Sequence, residues 1–589
     1  MAGQKQILVI GASAAGMRSA SRARRRDQAA RITVLEKAKD ISYAACGIPF
    51  FLAGETEMRG LTTTQIGIDR SPLFFKKIKD IDVHIRTAAT KIDRDKKTVE
   101  ATRLDTGEEL VFPYDRLVLG LGALPIVPPI PGINMRGVFC CRNLEDASAV
   151  ADCMARSKKR KAVIIGGGLI GLELLEPLVI NGFTVSVVEA KEHLASAILD
   201  FDMSELIENY LTSLGVGVYL NEQVRCLNGR DNRVESVVTS ERELPADLVI
   251  VAAGIRPNVQ IAREAGLEIG PLGGLVVNDY MQTSDPDIYA AGDSIETNDL
   301  MSGKMVICPM GSVANKQGRV IGDNLTGGKT KFQGVTRTVV ARVFNFNVGR
   351  TGLSTEEAKR LGYDVDYVIN PNVDKPHYLK SVRHFIMKMM ADRKTRRILG
   401  VQCVGTGELV KRIDVSASSI TFGATVDQAA DIDLGYAPPF SAAIDNFTET
   451  ANMMRNKLDG LAEFIHPSEV KEKLQRGDDF IMVDIRPEFE KKMEQARIPL
   501  QWVELPWLRR LPGWDLRERM DELDRDQDIV IFCRGGVRTF EAYCTMKGAG
   551  FKHVRILDGS TDFWPQLFVY CQSVYESRTG KTAPSASVA

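Results

Sequence analysis

Two cysteines of this sequence stand in settings where a sulfur atom could do chemistry. The clearer case is Cys533, which opens the stretch CRGGVR between an apolar strand (DIVIF) and a predicted helix. Gly535 and Gly536 let backbone N–H groups turn inward around the sulfur, the positive end of the helix adds to them, and Arg538 closes the loop. Such a nest lowers the pKa of a thiol and stabilises an anionic persulfide. The alternative is that Cys533 is only a small buried apolar side chain.

The second cysteine, Cys46, lies in ISYAACGIPF, a few residues after a predicted strand that ends at Glu36. The residue five positions later is Phe51, so Cys46 has no partner for a C-x-x-x-x-C disulfide. A lone thiol here can alternate between the thiolate and a mixed disulfide or persulfide with a sulfur-containing substrate.

Two segments share the order strand, glycine turn, helix, strand and acid, which indicates nucleotide-binding βαβ units. They are QILVIGASAAGMRSASRARRRDQAARITVLEK and KAVIIGGGLIGLELLEPLVINGFTVSVVEA, and their final acids follow the first glycine by 25 and 23 residues. The glycines permit a tight turn and let a pyrophosphate approach the N-terminus of the helix, although glycines used only for packing would give the same pattern. The turn residues predicted to bind dinucleotides are Gly11, Ala12, Ala15, Gly16, Gly166, Gly168 and Gly171.

The acids that end these units, Glu36 and Glu189, are predicted to accept hydrogen bonds from both ribose hydroxyls of an adenosine. A carboxylate at this position also repels a 2′-phosphate. Glu189 therefore favours NADH over NADPH, while Lys191 nearby weakens that preference and leaves NADPH possible.

The composition bounds the remaining possibilities. A chain of 589 residues is long enough for three to five domains of roughly 100–200 residues. Lys+Arg and Asp+Glu both number 76, so no global field favours nucleic acid or a membrane surface. We find neither an apolar run of membrane-spanning length nor a signal-peptide pattern, and the ten cysteines form neither a disulfide framework nor a C-x-x-C metal pair. We expect a cytoplasmic protein without a metal site.

Together these motifs resemble coenzyme A disulfide reductase-type flavoproteins fused to a rhodanese domain, and are similar to NADH-dependent persulfide and polysulfide reductases. The resemblance covers nearly the whole chain. It implies an α/β fold with Rossmann-like FAD and NAD(P)H domains, an α+β dimerisation domain and a C-terminal α/β rhodanese domain. The implied boundaries are 1–120 with 250–327 for FAD, 121–249 for NAD(P)H, 328–450 for dimerisation, 451–463 for a linker, 464–573 for the rhodanese domain and 574–589 for a disordered tail.

The rhodanese resemblance depends on the C-x-x-x-x-R loop and on the upstream stretch FIMVDIRPEFE. A phosphatase loop has one more residue between cysteine and arginine, so the shorter loop favours sulfur. The sequence departs from the family at QARIPLQWVELP, where a His-Ile-Pro-Gly segment is usual. We expect that departure to affect loop packing or substrate access rather than the sulfur nest.

The resemblance also implies roles for individual residues. Cys46 would lie at the start of a helix beside the flavin, and both the helix and the flavin would favour its thiolate. The remaining contacts to FAD would come from Gly122, Gly254, Gly292 and Asp293. Arg18, Arg22 and Arg25 share one helical face, and with Ser42 they match positions that line a coenzyme A site. The alternative for the arginines is a solvated basic face.

Two tyrosines match positions that reach the cysteine of the partner subunit across a homodimer. Tyr436 lies in GYAPPFS, where the two prolines fix the local backbone, and Tyr378 lies in KPHYLK. Each could assist a thiolate leaving group with a proton or hydrogen bond. The alternative for both is an ordinary aromatic residue of a subunit interface.

The predicted activity is FAD-dependent, NADH-using reduction of sulfur–sulfur bonds at Cys46, with Cys533 delivering sulfane sulfur. Coenzyme A persulfide, coenzyme A disulfide, glutathione persulfide and polysulfide stay open as substrates, and coenzyme A is either a substrate or a bound thiol. One alternative is an NADH oxidase or peroxidase that cycles Cys46 through sulfenic acid. That branch carries a histidine in the first glycine turn, where Ala14 stands here. The other alternative is a sulfur carrier or redox sensor that does not turn over.

Overall fold

The computed structural model describes residues 4–490 and 505–581. The chain divides into two compact units, Met1–Ala197 with Ile207–Arg337, and Ile198–Leu206 with Thr338–Ala589. None of the helices in the described ranges is both long and apolar enough to cross a membrane.

The first glycine turn ends the central strand of a five-stranded parallel sheet. This strand, Gln6–Ile10, pairs with Arg31–Leu35 and Arg116–Leu119, and its residues are mostly buried, as a strand covered on both faces requires. The helix Ala14–Arg26 follows directly. The sheet draws on distant parts of the chain, in the order Ile288–Ala290, Arg116–Leu119, Gln6–Ile10, Arg31–Leu35, Asp82–His84.

The second glycine turn has an equivalent place in a second parallel sheet. Lys161–Ile165 lies at its centre and leads into the helix Leu169–Ile180. The strand order is Gly217–Tyr219, Thr184–Val188, Lys161–Ile165, Leu248–Val251, Val138–Phe139. Because Leu248–Val251 pairs with the central strand, this domain extends past residue 249, where the sequence placed its end.

Smaller elements surround these sheets. Two antiparallel sheets contain Thr87–Asp93, Thr98–Arg103 and Glu109–Pro113, and Val224–Arg230, Arg233–Thr239 and Glu243–Pro245. Two-stranded pairs join Ala123–Pro125 to Ile255–Pro257 and Thr297–Asn298 to Met305–Val306. Further helices before residue 338 are Ala45–Gly47 (3₁₀), Ile48–Leu52, Met58–Thr62, Pro72–Lys79, Leu144–Arg156, Phe201–Ser213, Gln260–Glu264 and Gly311–Asn324.

The second unit begins with a five-stranded antiparallel sheet. Its strand Ile398–Gly405 is buried along its whole length. The order is Val339–Val343, Phe346–Gly352, Ile398–Gly405, His384–Asp392, Val365–Val373. The accompanying helices are Thr355–Arg360, Val410–Thr421, Val426–Ala430 and Asn446–Leu458.

The rest of the second unit is a parallel α/β domain whose strand Ile529–Phe532 leads to Cys533. The strand order is Phe464–Ile465, Val554–Leu557, Ile529–Phe532, Ile481–Asp484, Leu508–Arg510. The helices and the short 3₁₀ turn are Pro467–Arg476, Leu516–Arg519, Met520–Glu522 (3₁₀), Val537–Gly548, Ser560–Phe563 and Leu567–Thr579. The predicted fold class, two Rossmann-like domains followed by an α+β and a further α/β domain, is confirmed.

Two further predicted boundaries need correction. The segment 451–463 is not a free linker, because the helix Asn446–Leu458 buries Phe447, Ala451 and Met454. Residues 574–579 are not a disordered tail, because they belong to the helix Leu567–Thr579, which packs Val574 and Tyr575 against the domain core. QARIPLQWVELP spans 495–506, and its first ten residues lie outside the described residues, as does 582–589.

Candidate active site

The first glycine turn is sterically confined. Gly11 has φ of +98°, and a Cβ there would lie 2.2 Å from the carbonyl oxygen of Gly120. A Cβ at Gly16 would lie 1.9 Å from the carbonyl oxygen of Gly11. Any larger residue would therefore break the strand-to-helix turn. Ser13 caps the helix Ala14–Arg26 without a side-chain hydrogen bond to it, which leaves the N-terminal N–H groups free for another acceptor.

The second turn combines the same confinement with open space. A Cβ at Gly166 (φ +108°) would lie 2.4 Å from the carbonyl oxygen of Ala252, and one at Gly171 would lie 2.1 Å from that of Gly166. At Gly168, the N-cap of the following helix, a Cβ would meet no atom within 4 Å. This geometry fits a pyrophosphate against the helix N-terminus.

The two strand-ending acids lie against the two turns in the same way. Glu36 accepts hydrogen bonds from the N–H groups of Ala12 (2.7 Å) and Ala38 (3.0 Å). Glu189 accepts from those of Gly167 (2.7 Å) and Lys191 (3.0 Å). Each carboxylate is thus held at the edge of its turn, where the ribose of a bound adenosine would lie.

The other residues implied for FAD also fit that group. Gly122, Gly254 and Gly292 all have positive φ, and a Cβ at any of them would come no closer than 3.5 Å to another atom. At Gly292 that nearest atom is the Cβ of Ala15, which places this glycine next to the first turn. Burial raises the pKa of the neighbouring Asp293, and Arg142, 3.8 Å away, acts in the opposite direction.

Cys46 lies in the 3₁₀ turn Ala45–Gly47, ahead of the five-residue helix Ile48–Leu52. The residue as a whole is exposed, yet partial burial of its thiol raises the pKa of Cys46, and the carboxylates of Glu173 and Asp293 raise it further. The backbone at this turn acts in the predicted direction, but the thiolate is not favoured overall in the protein alone. The backbone hydrogen bonding at Cys46 does lower its pKa, but burial and the carboxylates outweigh it.

Sequence reasoning missed Glu173. It lies on the otherwise largely apolar helix Leu169–Ile180, and burial raises the pKa of its carboxyl. The available signal was an acid within LIGLELLEPLVI directly after a glycine turn. Because the charge of Glu173 raises the pKa of Cys46, the helix Leu169–Ile180 lies within electrostatic reach of the thiol.

Four cations surround a cavity of about 310 Å³. Arg18 and Arg25 come from the helix Ala14–Arg26, while Arg70 and Lys79 were not found from the sequence. Burial lowers the pKa of Lys79, and the charges of Arg25, Arg18 and Arg70 lower it further, so the four cations lie within electrostatic reach of one another. The buried Nε of Arg18 has no hydrogen-bond partner within the described chain. Among the described residues that line the cavity, none is Asp or Glu.

The cavity includes three of the four residues predicted for coenzyme A. Ser42 lines it with φ of +50°, and its carbonyl oxygen accepts a hydrogen bond from Arg70 (2.7 Å). Arg22 does not line it, because its Nε instead donates to Asp323 at 2.6 Å. Ala14 also contributes to the wall, as do the aromatic side chains Tyr43, Phe74 and Phe75.

Tyr378 and Tyr436 belong to the second unit and are both exposed, with 64% and 53% of their surfaces accessible. Phe440 and Ile444, in the same loop as Tyr436, are exposed as well. The assignment of both tyrosines to a partner subunit's cysteine stays a prediction.

Cys533 is almost fully buried at the end of strand Ile529–Phe532. The N–H of Gly536 (φ +103°) donates to its Sγ at 3.1 Å, and the twelve-residue helix Val537–Gly548 starts immediately afterwards. Arg538 forms two hydrogen bonds with Glu490, at 2.6 and 3.0 Å. The pKa of Arg538 is raised: burial alone would lower it, but Glu490 and the Cys533 sulfur favour its charge.

The Cys533 loop is hydrogen-bonded to the neighbouring segment 558–562, which includes the start of the helix Ser560–Phe563. The N–H of Thr561 donates to the carbonyl oxygen of Cys533 (3.3 Å). The fully buried Asp558 accepts from the N–H of Ile369 (3.0 Å) on the antiparallel sheet, and burial raises the pKa of Asp558 to about 6. The sulfur nest is thus fixed to two sheets of the second unit.

Three family models match the chain in series. They are the pyridine nucleotide-disulphide oxidoreductase model over residues 5–318, the dimerisation domain of the same family over 339–447, and the rhodanese-like domain over 466–567.

The chain is also similar to individual proteins along most of its length. The chain is 35% identical over 452 residues to the NAD(P)H sulfur oxidoreductase (CoA-dependent) of Pyrococcus furiosus, covering 77% of this chain and 99% of that protein. It is 31% identical to an NADH oxidase of Methanocaldococcus jannaschii, with coverages of 77% and 99%.

A solved structure, the NAD-dependent persulfide reductase from A. fulgidus, matches with 42% identity and a TM-score of 0.89, over 95% of this chain and all of that one. The chain belongs to the pyridine nucleotide-disulphide oxidoreductase family and carries its dimerisation domain and a rhodanese-like domain.

Proposed function

We propose that this protein is an NADH-using flavoenzyme that reduces sulfur–sulfur bonds of coenzyme A persulfide, coenzyme A disulfide or polysulfide at Cys46. The observation that carries the proposal is the lone Cys46, which follows by three residues Tyr43, a residue in the wall of a strongly basic cavity. The activities named for the Pyrococcus relative and the A. fulgidus structure are of this kind.

The family implies FAD and NAD(P)H, and the two glycine turns fit one dinucleotide each. When bound, FAD relays two electrons from the nicotinamide to sulfur. The N–H of Gly167 holds the carboxylate of Glu189 at the edge of its turn, where it would accept hydrogen bonds from ribose hydroxyls and repel a 2′-phosphate, so NADH is favoured over NADPH.

The basic cavity is the proposed coenzyme A site. Arginine forks bind pyrophosphate and phosphate oxygens through paired hydrogen bonds, and a phosphate oxygen would satisfy the Nε of Arg18. Tyr43, Phe74 and Phe75 offer apolar surface to the uncharged part of the same ligand. Arg22 is omitted from this site because Asp323 holds it.

The sulfur step balances with a single cysteine. The thiolate of Cys46 attacks the sulfane sulfur of R–S–SH, the S–S bond breaks, and R–S⁻ leaves, which gives Cys46–S–SH. Two electrons then cleave this persulfide to Cys46–S⁻ and HS⁻. Tyr436, with Tyr378 as a second candidate, would hydrogen-bond the departing thiolate from a partner subunit. A homodimer, supported by the matched dimerisation domain, and a cytoplasmic location complete the proposal.

In the rhodanese-like domain, Cys533 would carry sulfane sulfur as a persulfide and pass it to the reductase site. The N–H of Gly536 and the charge of Arg538 stabilise a negative sulfur at this position.

The test is anaerobic NADH oxidation with coenzyme A persulfide, coenzyme A disulfide, glutathione persulfide and polysulfide, with sulfide measured alongside. We expect NADH consumption in proportion to added substrate, and one sulfide for each NADH with a persulfide. A protein that consumes NADH once and stops would be a sensor or carrier, and the proposal would fail.

A second candidate is an NADH oxidase, which is the activity named for the Methanocaldococcus relative. Ala14 in the cavity wall stands where the oxidase and peroxidase branch places a histidine, so oxygen chemistry lacks that helper here. Aerobic NADH oxidation without a sulfur substrate, faster than any anaerobic rate with one, would favour the oxidase.

A further inference from the structure

We propose that Lys79 is a site of covalent acylation by acyl phosphates, whose phosphate group the arginines of the basic cavity hold beside the amine of this lysine. A lysine amine takes no part in the sulfur chemistry, so acylation is a second reaction of the same cavity. The modification itself needs only the cavity and the reagent. Its effect on coenzyme A rests on the proposed function.

The amine of Lys79 is held at the wall of the basic cavity. Lys79 lines this cavity and is partly buried. Its Nζ donates a hydrogen bond to the hydroxyl of the buried Ser21 at 2.9 Å and lies 5.1 Å from the centre of the Phe75 ring. Because Ser21 and Phe75 belong to different helices, two separate contacts fix the position of the amine.

The surroundings of Lys79 favour the neutral form of its amine. Burial lowers the pKa of Lys79, and the charges of Arg25, Arg18 and Arg70 lower it further. The free amine is the form that attacks a carbonyl carbon, so a lower pKa leaves more of the nucleophile near neutral pH.

The arginines of the cavity provide a place for the phosphate of the reagent. Guanidinium groups stay charged at ordinary pH and bind phosphate oxygens through paired hydrogen bonds. Among the described residues that line the cavity, no carboxylate opposes such an anion. A phosphate held by these arginines keeps its acyl carbon within the same cavity of about 310 Å³ as the amine, which raises the effective concentration of the reagent.

The acylation step balances without a further reagent. The free amine of Lys79 attacks the acyl carbon of R–CO–OPO₃²⁻, a C–N bond forms, and the C–O bond to the phosphate breaks. HPO₄²⁻ leaves with the proton that the nitrogen loses, and the product is the amide Lys79–NH–CO–R. Nothing is oxidised or reduced. Because the amide carries no charge, the cavity loses one of its four cations and binds coenzyme A more weakly.

The experiment exposes the full-length flavoprotein to acetyl phosphate near neutral pH and measures acetylation of each lysine by peptide mass spectrometry. We expect Lys79 to react at least about tenfold faster than Lys76 and Lys77 of the same helix. Lys76 is the matched control, because it is exposed and its hydrogen bonds to Asp80 and Asp82 raise its pKa. Inorganic phosphate and coenzyme A should each slow the reaction at Lys79 alone.

A second reagent separates binding of the phosphate from reactivity of the amine. The N-hydroxysuccinimide ester of acetic acid carries the same acetyl group without a phosphate. For Arg18→Gln we expect acetylation of Lys79 to fall about tenfold with acetyl phosphate, but less than about threefold with the ester. Arg22→Gln should leave both rates unchanged, because Arg22 is bound to Asp323 and does not line the cavity.

Two variants of Lys79 measure the consequence for coenzyme A. Lys79→Gln imitates the neutral amide, and we expect its KM for coenzyme A persulfide to rise about fivefold with little change in kcat. Lys79→Arg keeps the charge without the reactive amine, and its KM should stay within about twofold of the wild-type value. Acetyl phosphate should raise the KM of the wild type and leave that of Lys79→Arg unchanged.

Two outcomes overturn the inference. One is that Lys79 reacts with acetyl phosphate no faster than Lys77, and the other is that its preference over Lys77 is equally large with the ester. Either result leaves the proposed function intact if the wild type still reduces coenzyme A persulfide. Selective acetylation of Lys79 in a protein that does not turn over NADH would instead refute the proposed function and support the inference.

Discussion

The two sulfur centres differ in how the protein treats a negative charge on sulfur. Cys533 is buried, receives an N–H hydrogen bond from Gly536, and stands at the start of a twelve-residue helix near Arg538. Cys46 is an exposed residue and precedes a five-residue helix. Partial burial of its thiol and the carboxylates of Glu173 and Asp293 raise its pKa.

This difference indicates a division of labour. A nest that stabilises an anion suits a cysteine that stores sulfur as a persulfide. A thiol whose anion is disfavoured by the protein alone becomes more reactive when a bound group or substrate offsets that cost. The cations that could do so are grouped in the basic cavity, whose wall includes Tyr43, three residues from Cys46.

The largest expected effect is that of Cys46→Ser. We expect NADH-dependent persulfide reduction to fall by about 1,000-fold or more, because the attacking sulfur is removed. Stopped-flow absorbance of anaerobic protein measures the loss. Cys544→Ser, which removes another exposed thiol, is the matched control and should retain the wild-type rate. Full turnover by Cys46→Ser would disprove the single-cysteine mechanism.

Cys533→Ala tests whether the two sulfur centres have separate roles. We expect NADH-dependent polysulfide use to fall by about 100-fold, because delivery from a tethered carrier is lost, while reduction of coenzyme A persulfide continues. Parallel assays with the two substrates give the ratio. An unchanged rate with polysulfide would remove the delivery step from the account.

Arg25→Gln tests the basic cavity. We expect the KM for coenzyme A persulfide to rise about tenfold with little change in kcat, since one charge-assisted contact to phosphate is lost. Arg22→Gln on the same helix should leave this KM near the wild-type value, because Arg22 is bound to Asp323 instead. Equal effects at both positions would favour a contact made by the whole helical face.

The smallest expected effect is a shift in pH dependence with Glu173→Gln. The Glu173 carboxylate raises the pKa of Cys46, so its removal should lower that pKa and move the rise of the rate to lower pH. The rate of iodoacetamide alkylation of Cys46 against pH measures it. Glu176→Gln, three residues further along the same helix, serves as the control. A shift to higher pH would contradict the assigned direction.

The sequence predicted what depends on short, local patterns. The turns at Gly11 and Gly166 are set by close approach of backbone atoms, which the glycine spacing encodes directly. The nest at Cys533 is likewise contained within six consecutive residues. The same motifs carry the family resemblance from which the fold class was predicted.

Other features could not be predicted because their partners are distant in the chain. Arg22 has the right helical spacing for the cavity, but Asp323, about 300 residues later, holds it. Arg70 and Lys79 reach the cavity from other segments, and Glu173 affects Cys46 from the second nucleotide-binding domain. Periodicity identifies a helical face, yet it does not show what that face meets.

The most direct measurement is the mass of the Cys46 peptide from Cys533→Ala protein, mixed anaerobically with coenzyme A persulfide before and after NADH. We expect one additional sulfur atom on Cys46 before NADH, and its loss with release of one sulfide afterwards. Sulfide formation while the Cys46 thiol stays unmodified throughout would contradict the account.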